Sequence, residues 1–329
     1  MILPQILTLS EISENLDENF IQILDQLTKL KTLHVTHPQS SDQLRQILAK
    51  VSNTLEALTL YEFPEQSLRK INGLGMHLKE LTVFFEGLFD EENPDFDEHV
   101  VPNEDIYPLI SRNAAILERL DIVAIEIASE YQFDCSRIQG TSFPNLDYVY
   151  FGEFQVDNLS SLLNRAPNLT QFDVHEIGPC PQIANLSPLG LTRMTIRVEN
   201  EFTALMAALV IAQATETLTY LDVYIWCDIE SKEVLQQMLF PCYNALKYLK
   251  IEGGSAKYLI ELLKDQQPSQ PKVRLDELLR LEVKVSSHQE GGNSEEDLAF
   301  LGNLLIDLFP ENAQVLLLEP FFIRSRAPL

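Results

Sequence analysis

Histidine is the usual general base and metal ligand near neutral pH, and this chain of 329 residues has six of them. His34 and His37 stand three apart in a segment that reads as a strand. Their side chains therefore go to opposite faces and cannot chelate one ion. His77, His99, His175 and His288 each stand alone. The four cysteines, Cys135, Cys180, Cys227 and Cys242, contain no Cys-x-x-Cys pair, so neither a zinc site nor a disulfide framework is expected. Gly73-Leu74-Gly75 and Gly253-Gly254 lack the lysine and the wider glycine spacing of phosphate-binding loops, and no Gly-x-Ser-x-Gly elbow is present. The expectation is a protein that is not an enzyme, with no cofactor and no metal. The chemistry left is that of contact, carried by tyrosine and arginine, which combine large area with a polar handle.

Those residues are positioned by a phrase, Leu-x-x-Leu-x-Leu or a close variant, that returns along the whole chain. Clear copies are Leu30-Leu33-Val35, Leu55-Leu58-Leu60, Leu78-Leu81-Val83, Leu117-Leu120-Ile122, Leu218-Leu221-Val223 and Leu246-Leu249-Ile251. Weaker copies start at Leu146, Leu169, Leu191 and Leu278, and degenerate ones lie near Leu7-Leu9 and Leu316-Leu318. The step from Leu30 to Leu55 is 25 residues, from Leu55 to Leu78 it is 23, and from Leu246 to Leu278 it is 32. Between phrases the apolar period lengthens from two to about 3.6 residues, which predicts a helix after each strand. Such segments are Ser41 to Val51, Glu104 to Ile116, Val156 to Ala166, Phe202 to Thr215, Lys232 to Leu239, Ala256 to Leu263 and Glu295 to Leu308. Ser294 and Asp297 resemble a capping box at the start of the last one. Pro310 to Phe322 reads as a final strand and an apolar tail that folds over the last repeat.

In these phrases and spacings the chain resembles leucine-rich repeat proteins of the irregular intracellular kind, and is similar to the repeat regions of F-box proteins. The resemblance implies an α/β fold: a leucine-rich repeat solenoid forming a curved horseshoe, with a parallel sheet on the concave side and helices on the convex side. It would be a single domain over residues 1–329, with about 11–12 irregular repeats. The family's Asn or Cys after the last anchor is missing. Pro38, Phe63, Glu86, Ile125, Phe154, Ile177, Glu199, Trp226, Gly254 and Ser286 stand there instead, so the turns must satisfy their backbone groups differently. The resemblance also implies an N-terminal F-box of about forty residues, but no such box is legible within these residues, so it either lies outside them or was never part of the protein. Leu7-Thr8-Leu9 already reads as a repeat strand and Leu16 to Leu27 as its helix.

If the anchors point inward, alternation sends positions three, five and seven of each phrase to the open face. Six of the ten tyrosines fall there, at 61, 148, 150, 220, 224 and 248. The candidate partner-binding patch is Tyr148, Tyr150, His175, Arg193, Arg197, Tyr220, Tyr224 and Tyr248. Over ten strands this face has six acids and six bases, although the chain has 49 acids, 24 bases and a net charge of −25. Such acidity disfavours nucleic acid and anionic membranes and favours basic partners. A segment near 86–105, acidic without Lys or Arg, reads either as a docking site for a basic partner or as a solvated loop. Scattered cysteines and the absence of a basic leader point to a cytoplasmic or nuclear protein. The function expected is a protein–protein interaction scaffold. The family resemblance implies the substrate-recognition part of an F-box-type ubiquitin ligase. The other reading is a stand-alone regulator or inhibitor that wraps a protein partner.

Overall fold

The computed structural model describes residues 5–10, 23–24, 26–64, 66–86, 104–125, 132–140, 142–226, 232–239, 245–264, 278–285, 294–308, 313–319 and 322–326. The chain divides into two compact units, 1–169 and 170–329.

In the first unit, strands β1 (Ile6–Ser10), β2 (Thr32–Thr36), β3 (Ala57–Tyr61), β4 (Glu80–Glu86), β5 (Arg119–Ile125) and β7 (Tyr148–Asp157) lie in sequence order, each parallel to the next. A short β6 (Gln132–Asp134) pairs with the far end of β7. Helices α1 (Ser41–Val51), α2 (Ser67–Ile71), α3 (Ile106–Asn113) and α4 (Ser160–Leu163) follow β2, β3, β4 and β7. The anchors Leu33, Leu58, Leu81, Leu120 and Val149 are wholly buried, as are Leu44, Ile47 and Leu48 of α1, so strand and helix seal one apolar layer. The Ser40 side chain starts α1 by accepting from the Gln43 backbone N–H at 3.2 Å.

The second unit repeats the plan. Strands β8 (Gln171–Ile177), β9 (Arg193–Val198), β10 (Tyr220–Ile225), β11 (Tyr248–Gly253), β12 (Arg280–Lys284) and β13 (Gln314–Glu319) are parallel neighbours in that order. Helices α5 (Glu201–Ala212), α6 (Lys232–Leu239), α7 (Ala256–Lys264) and α8 (Glu295–Leu308) follow β9 to β12. A last strand, β14 (Phe322–Arg326), turns back antiparallel beside β13, so the tail extends the sheet past the last repeat strand. Helix α5 opens with a reciprocal box in which Asn200 and Thr203 each accept from the other's backbone N–H, at 2.9 Å and 3.1 Å. The anticipated Ser294–Asp297 pair is also made, with the Ser294 oxygen accepting from the Asp297 N–H at 3.0 Å.

One expectation needs correction. Residues 156–157 are strand, not helix, because β6 offers them a hydrogen-bonding edge and alternation keeps Phe154 and Val156 buried; only Ser160–Leu163 is helical. The helix expected from Phe202 is made over Glu201–Ala212, with Phe202 and Leu205 45% and 39% exposed. The structure also shows how turns close without the Asn or Cys ladder. The residue just before that position takes a left-handed conformation in four repeats, at His37, Glu62, Glu153 and Gly253. At His37 the turned N–H donates to the Tyr61 carbonyl at 3.0 Å. At Gly253 a Cβ would lie 1.9 Å from the Ile225 carbonyl oxygen, so only glycine fits. Most of the acidic segment, residues 87–103, lies outside the described residues, as do residues 16–22 and 25 of the expected first helix. Among the described residues no helix is long and apolar enough to cross a membrane.

Candidate functional site

Alternation over residues 171–175 of β8 and throughout β9 to β12 buries the anchors and sends the residues between them to one face. Because each strand pairs in register with the next, those residues form straight rows across the second unit. The first row runs Gln171, Arg193, Tyr220, Tyr248 and Arg280. Tyr220 and Tyr248 stack with ring centroids 4.4 Å apart and planes 3° from parallel. The Arg193 guanidinium lies 4.2 Å from the Tyr220 centroid, and that of Arg280 lies 5.5 Å from the Tyr248 centroid. The result is a cation–aromatic–aromatic–cation column, each contact worth about 0.5–1 kcal/mol where solvent reaches it.

The second row supplies the column's acids. The Tyr248 hydroxyl donates to Glu282 at 3.0 Å and Arg280 donates to the same carboxylate at 2.9 Å. Lys250 bridges Asp222 at 3.1 Å and Glu252 at 2.9 Å. Burial opposes the Lys250 charge, but hydrogen bonds and charges from Glu252 and Asp222 outweigh it and hold the ammonium above its usual pKa. Burial, then the Glu282 carboxylate, pushes the Tyr248 phenol well above its usual value. Neither group ionises differently in the physiological range, so this part of the face is a fixed pattern of charge.

The third row holds His175, Arg197, Tyr224, Glu252 and Lys284, and Trp226 follows one step beyond Tyr224 on β10's extension. Arg197 is the hub. It contacts the His175 ring nitrogen, lies 3.0 Å from the Glu199 carboxylate, and stacks 3.9 Å from the Trp226 centroid and 5.8 Å from that of Tyr224. Burial and the Arg197 charge push the His175 pKa down to about 4, so the imidazole is neutral at pH 7 and can accept from the guanidinium. Trp226 is 58% exposed, an unusual place for a large indole. Sequence reasoning found the rows but missed Trp226. The signal was there, since the chain's one tryptophan stands where leucine-rich repeat proteins have Asn or Cys.

Tyr148 and Tyr150 belong to the first unit. There Arg119 stacks 4.2 Å from the Tyr148 centroid and donates to Asp121 at 2.9 Å. The Tyr150 ring lies over Gly152, where a Cβ would fall 2.6 Å from the phenolic oxygen. Of the eight candidate residues, the structure joins Arg193, Tyr220 and Tyr248 in the column, and His175, Arg197 and Tyr224 around the arginine hub. Among the described residues no cluster of three or more His, Cys, Asp or Glu stands where it could hold a metal ion.

No family model matches the chain, and no curated protein does. Among solved structures it is similar to a chain in "Crystal structure of Rad7 and Elc1 complex in yeast", at 12% identity and a TM-score of 0.35, over 83% of this chain and 77% of that one. A likeness of that size says nothing about function.

Proposed function

We propose that the chain is a non-catalytic protein-interaction scaffold, one leucine-rich repeat domain whose open sheet face engages a protein partner. The observation that carries this is the Arg197–Tyr224–Trp226 cluster, in which a largely exposed indole is held by a guanidinium, with the stacked Tyr220–Tyr248 pair further back along the same face. Preset aromatic and arginine groups are the usual centres of binding energy, because little side-chain freedom is left to lose on contact. The net charge of −25 is against nucleic acid and anionic membranes as partners, and a cytoplasmic or nuclear location belongs to the same proposal.

The sequence resemblance to F-box repeat regions supports a narrower form, the substrate-recognising part of a ubiquitin ligase; a free-standing regulator is the alternative. The acidic segment near 86–105 is a second docking candidate, for a basic partner.

Affinity capture from host cell extract tests the proposal, using the native chain beside an Arg197→Ala, Tyr224→Ala, Trp226→Ala variant of verified fold. Partners lost in the variant support the face reading, and cullin-ligase components among the native chain's partners support the narrower one. Equal retention by both proteins refutes the face reading.

A further inference from the structure

One edge of the second unit's face has a charge pattern unlike the rest of the molecule. The residue before each strand there, with the strand's first residue, gives Thr170-Gln171, Thr192-Arg193, Thr219-Tyr220, Lys247-Tyr248 and Leu279-Arg280. They include three bases and no acid, in a chain with 49 acids. Acids begin one row further on, with Asp173, Asp222 and Glu282.

On this face the cations are otherwise used internally. Arg197 faces Glu199, Lys250 bridges Asp222 and Glu252, Arg280 is held by Glu282, and Lys284 meets Glu252. Arg193 differs. It is exposed, its guanidinium is stacked on Tyr220, and among the described residues it has neither an acid nor a hydrogen-bond acceptor. Its register neighbour Gln171 and the exposed Lys247 likewise have no side-chain hydrogen bond among the described residues. Stacking fixes the guanidinium plane while leaving its N–H fork unspent, which is the state a bidentate carboxylate receptor needs before binding. Leu279, 56% exposed, adds apolar surface at the same edge.

We propose that this edge captures an Asp or Glu side chain of the protein partner, with Arg193 as the paired donor and Lys247 as a second positive charge. The inference rests on the face reading above and names what part of that face accepts. Other acids of the chain repel such a segment at a distance, so the recognition is local and short-ranged.

The test applies the labelled full chain to immobilised short random peptides with a fixed central Glu, Gln or Lys. The Glu set is expected to be retained on the order of tenfold better than the Gln set. R193Q removes that preference, R193K keeps part of it, R280Q leaves it, and R193E transfers it to the Lys set, a gain that misfolding would not produce. Equal retention of Glu and Gln sets by the native chain, or a Glu preference that survives R193Q, overturns the proposal. If a Tyr224→Ala, Trp226→Ala variant loses all three sets while Arg193 variants change nothing, this inference fails and the face reading stands. If neither group of variants alters retention of any set, both fail.

Discussion

On the first unit's open face, the row at position seven runs Thr36, Tyr61, Phe84 and Val123, with Tyr61 and Phe84 5.1 Å apart and Val123 buried. On the second unit's face the same row runs His175, Arg197, Tyr224, Glu252 and Lys284, knitted by ion pairs and ring contacts. The inward sides of the two units are interchangeable in kind, being mainly leucine, isoleucine, valine and phenylalanine, all buried. The difference teaches that the repeat constrains only one side of each strand. Packing dictates the inward residues, and the outward ones are free to carry chemistry, which the second unit has used far more.

The inward equivalence is tested by the largest effects. Leu33→Ala in the first unit and Leu221→Ala in the second should each cost about 2–5 kcal/mol in urea unfolding, because both are wholly buried. A cost near zero at either site would break the comparison. Next comes Gly253→Ala, at φ +104 with a carbonyl oxygen in the way, expected to lose about 2–4 kcal/mol in the same assay. Glu62→Gly, at the matching turn, should instead be near neutral, since glycine relieves a left-handed residue while the contact to His37 is lost.

Outward residues should separate stability from binding. Tyr220→Ala removes the stack on Tyr248, and Tyr61→Ala removes a tilted contact with Phe84 and an edge contact with His37, each at about 1 kcal/mol of stability. Only Tyr220→Ala should also weaken partner capture, by about 1–2 kcal/mol or more by titration. Alanine at Tyr220 is therefore not silent in melting experiments, because the column ties β9 to β12. A matching loss of binding in Tyr61→Ala would erase the distinction between the faces.

The last effect is pH-linked. His175 has its pKa lowered from 6.5 to about 4 in the fold, so the unfolded chain binds its proton first as pH falls. Stability is unaffected by it above 6.5 and is lost progressively from there down to about 4. His175→Gln should flatten that window by about 1–2 kcal/mol relative to the native chain, after allowance for partial solvent screening. An unchanged slope would mean the imidazole is not held neutral by burial and Arg197.

Much of the fold was legible because two periods were enough. Period two with leucine anchors located the strands, and Ser41–Val51, Lys232–Leu239 and Glu295–Leu308 emerged as helices at the expected bounds. Residues 156–157 defeated the pattern because the left-handed Glu153 resets which side faces in, and β6 then recruits the segment into the sheet. The rows of the candidate site were legible for the same reason as the strands. Which cations are paired was not, since Lys250 and Asp222, or Arg193 and Tyr220, meet only across a register joining residues 27–28 apart. Trp226 was hidden by lying beyond the phrase that defines the face.

The central claim is that the second unit's open face is a partner surface. Hydroxyl-radical footprinting of the captured complex against the free chain tests it most directly, read at Tyr220, Tyr224, Trp226 and Tyr248. The account predicts strong protection there on complex formation, with Phe202 and Leu205 on α5 unchanged. Protection of Phe202 and Leu205 with the four face aromatics as reactive as in the free chain would contradict it.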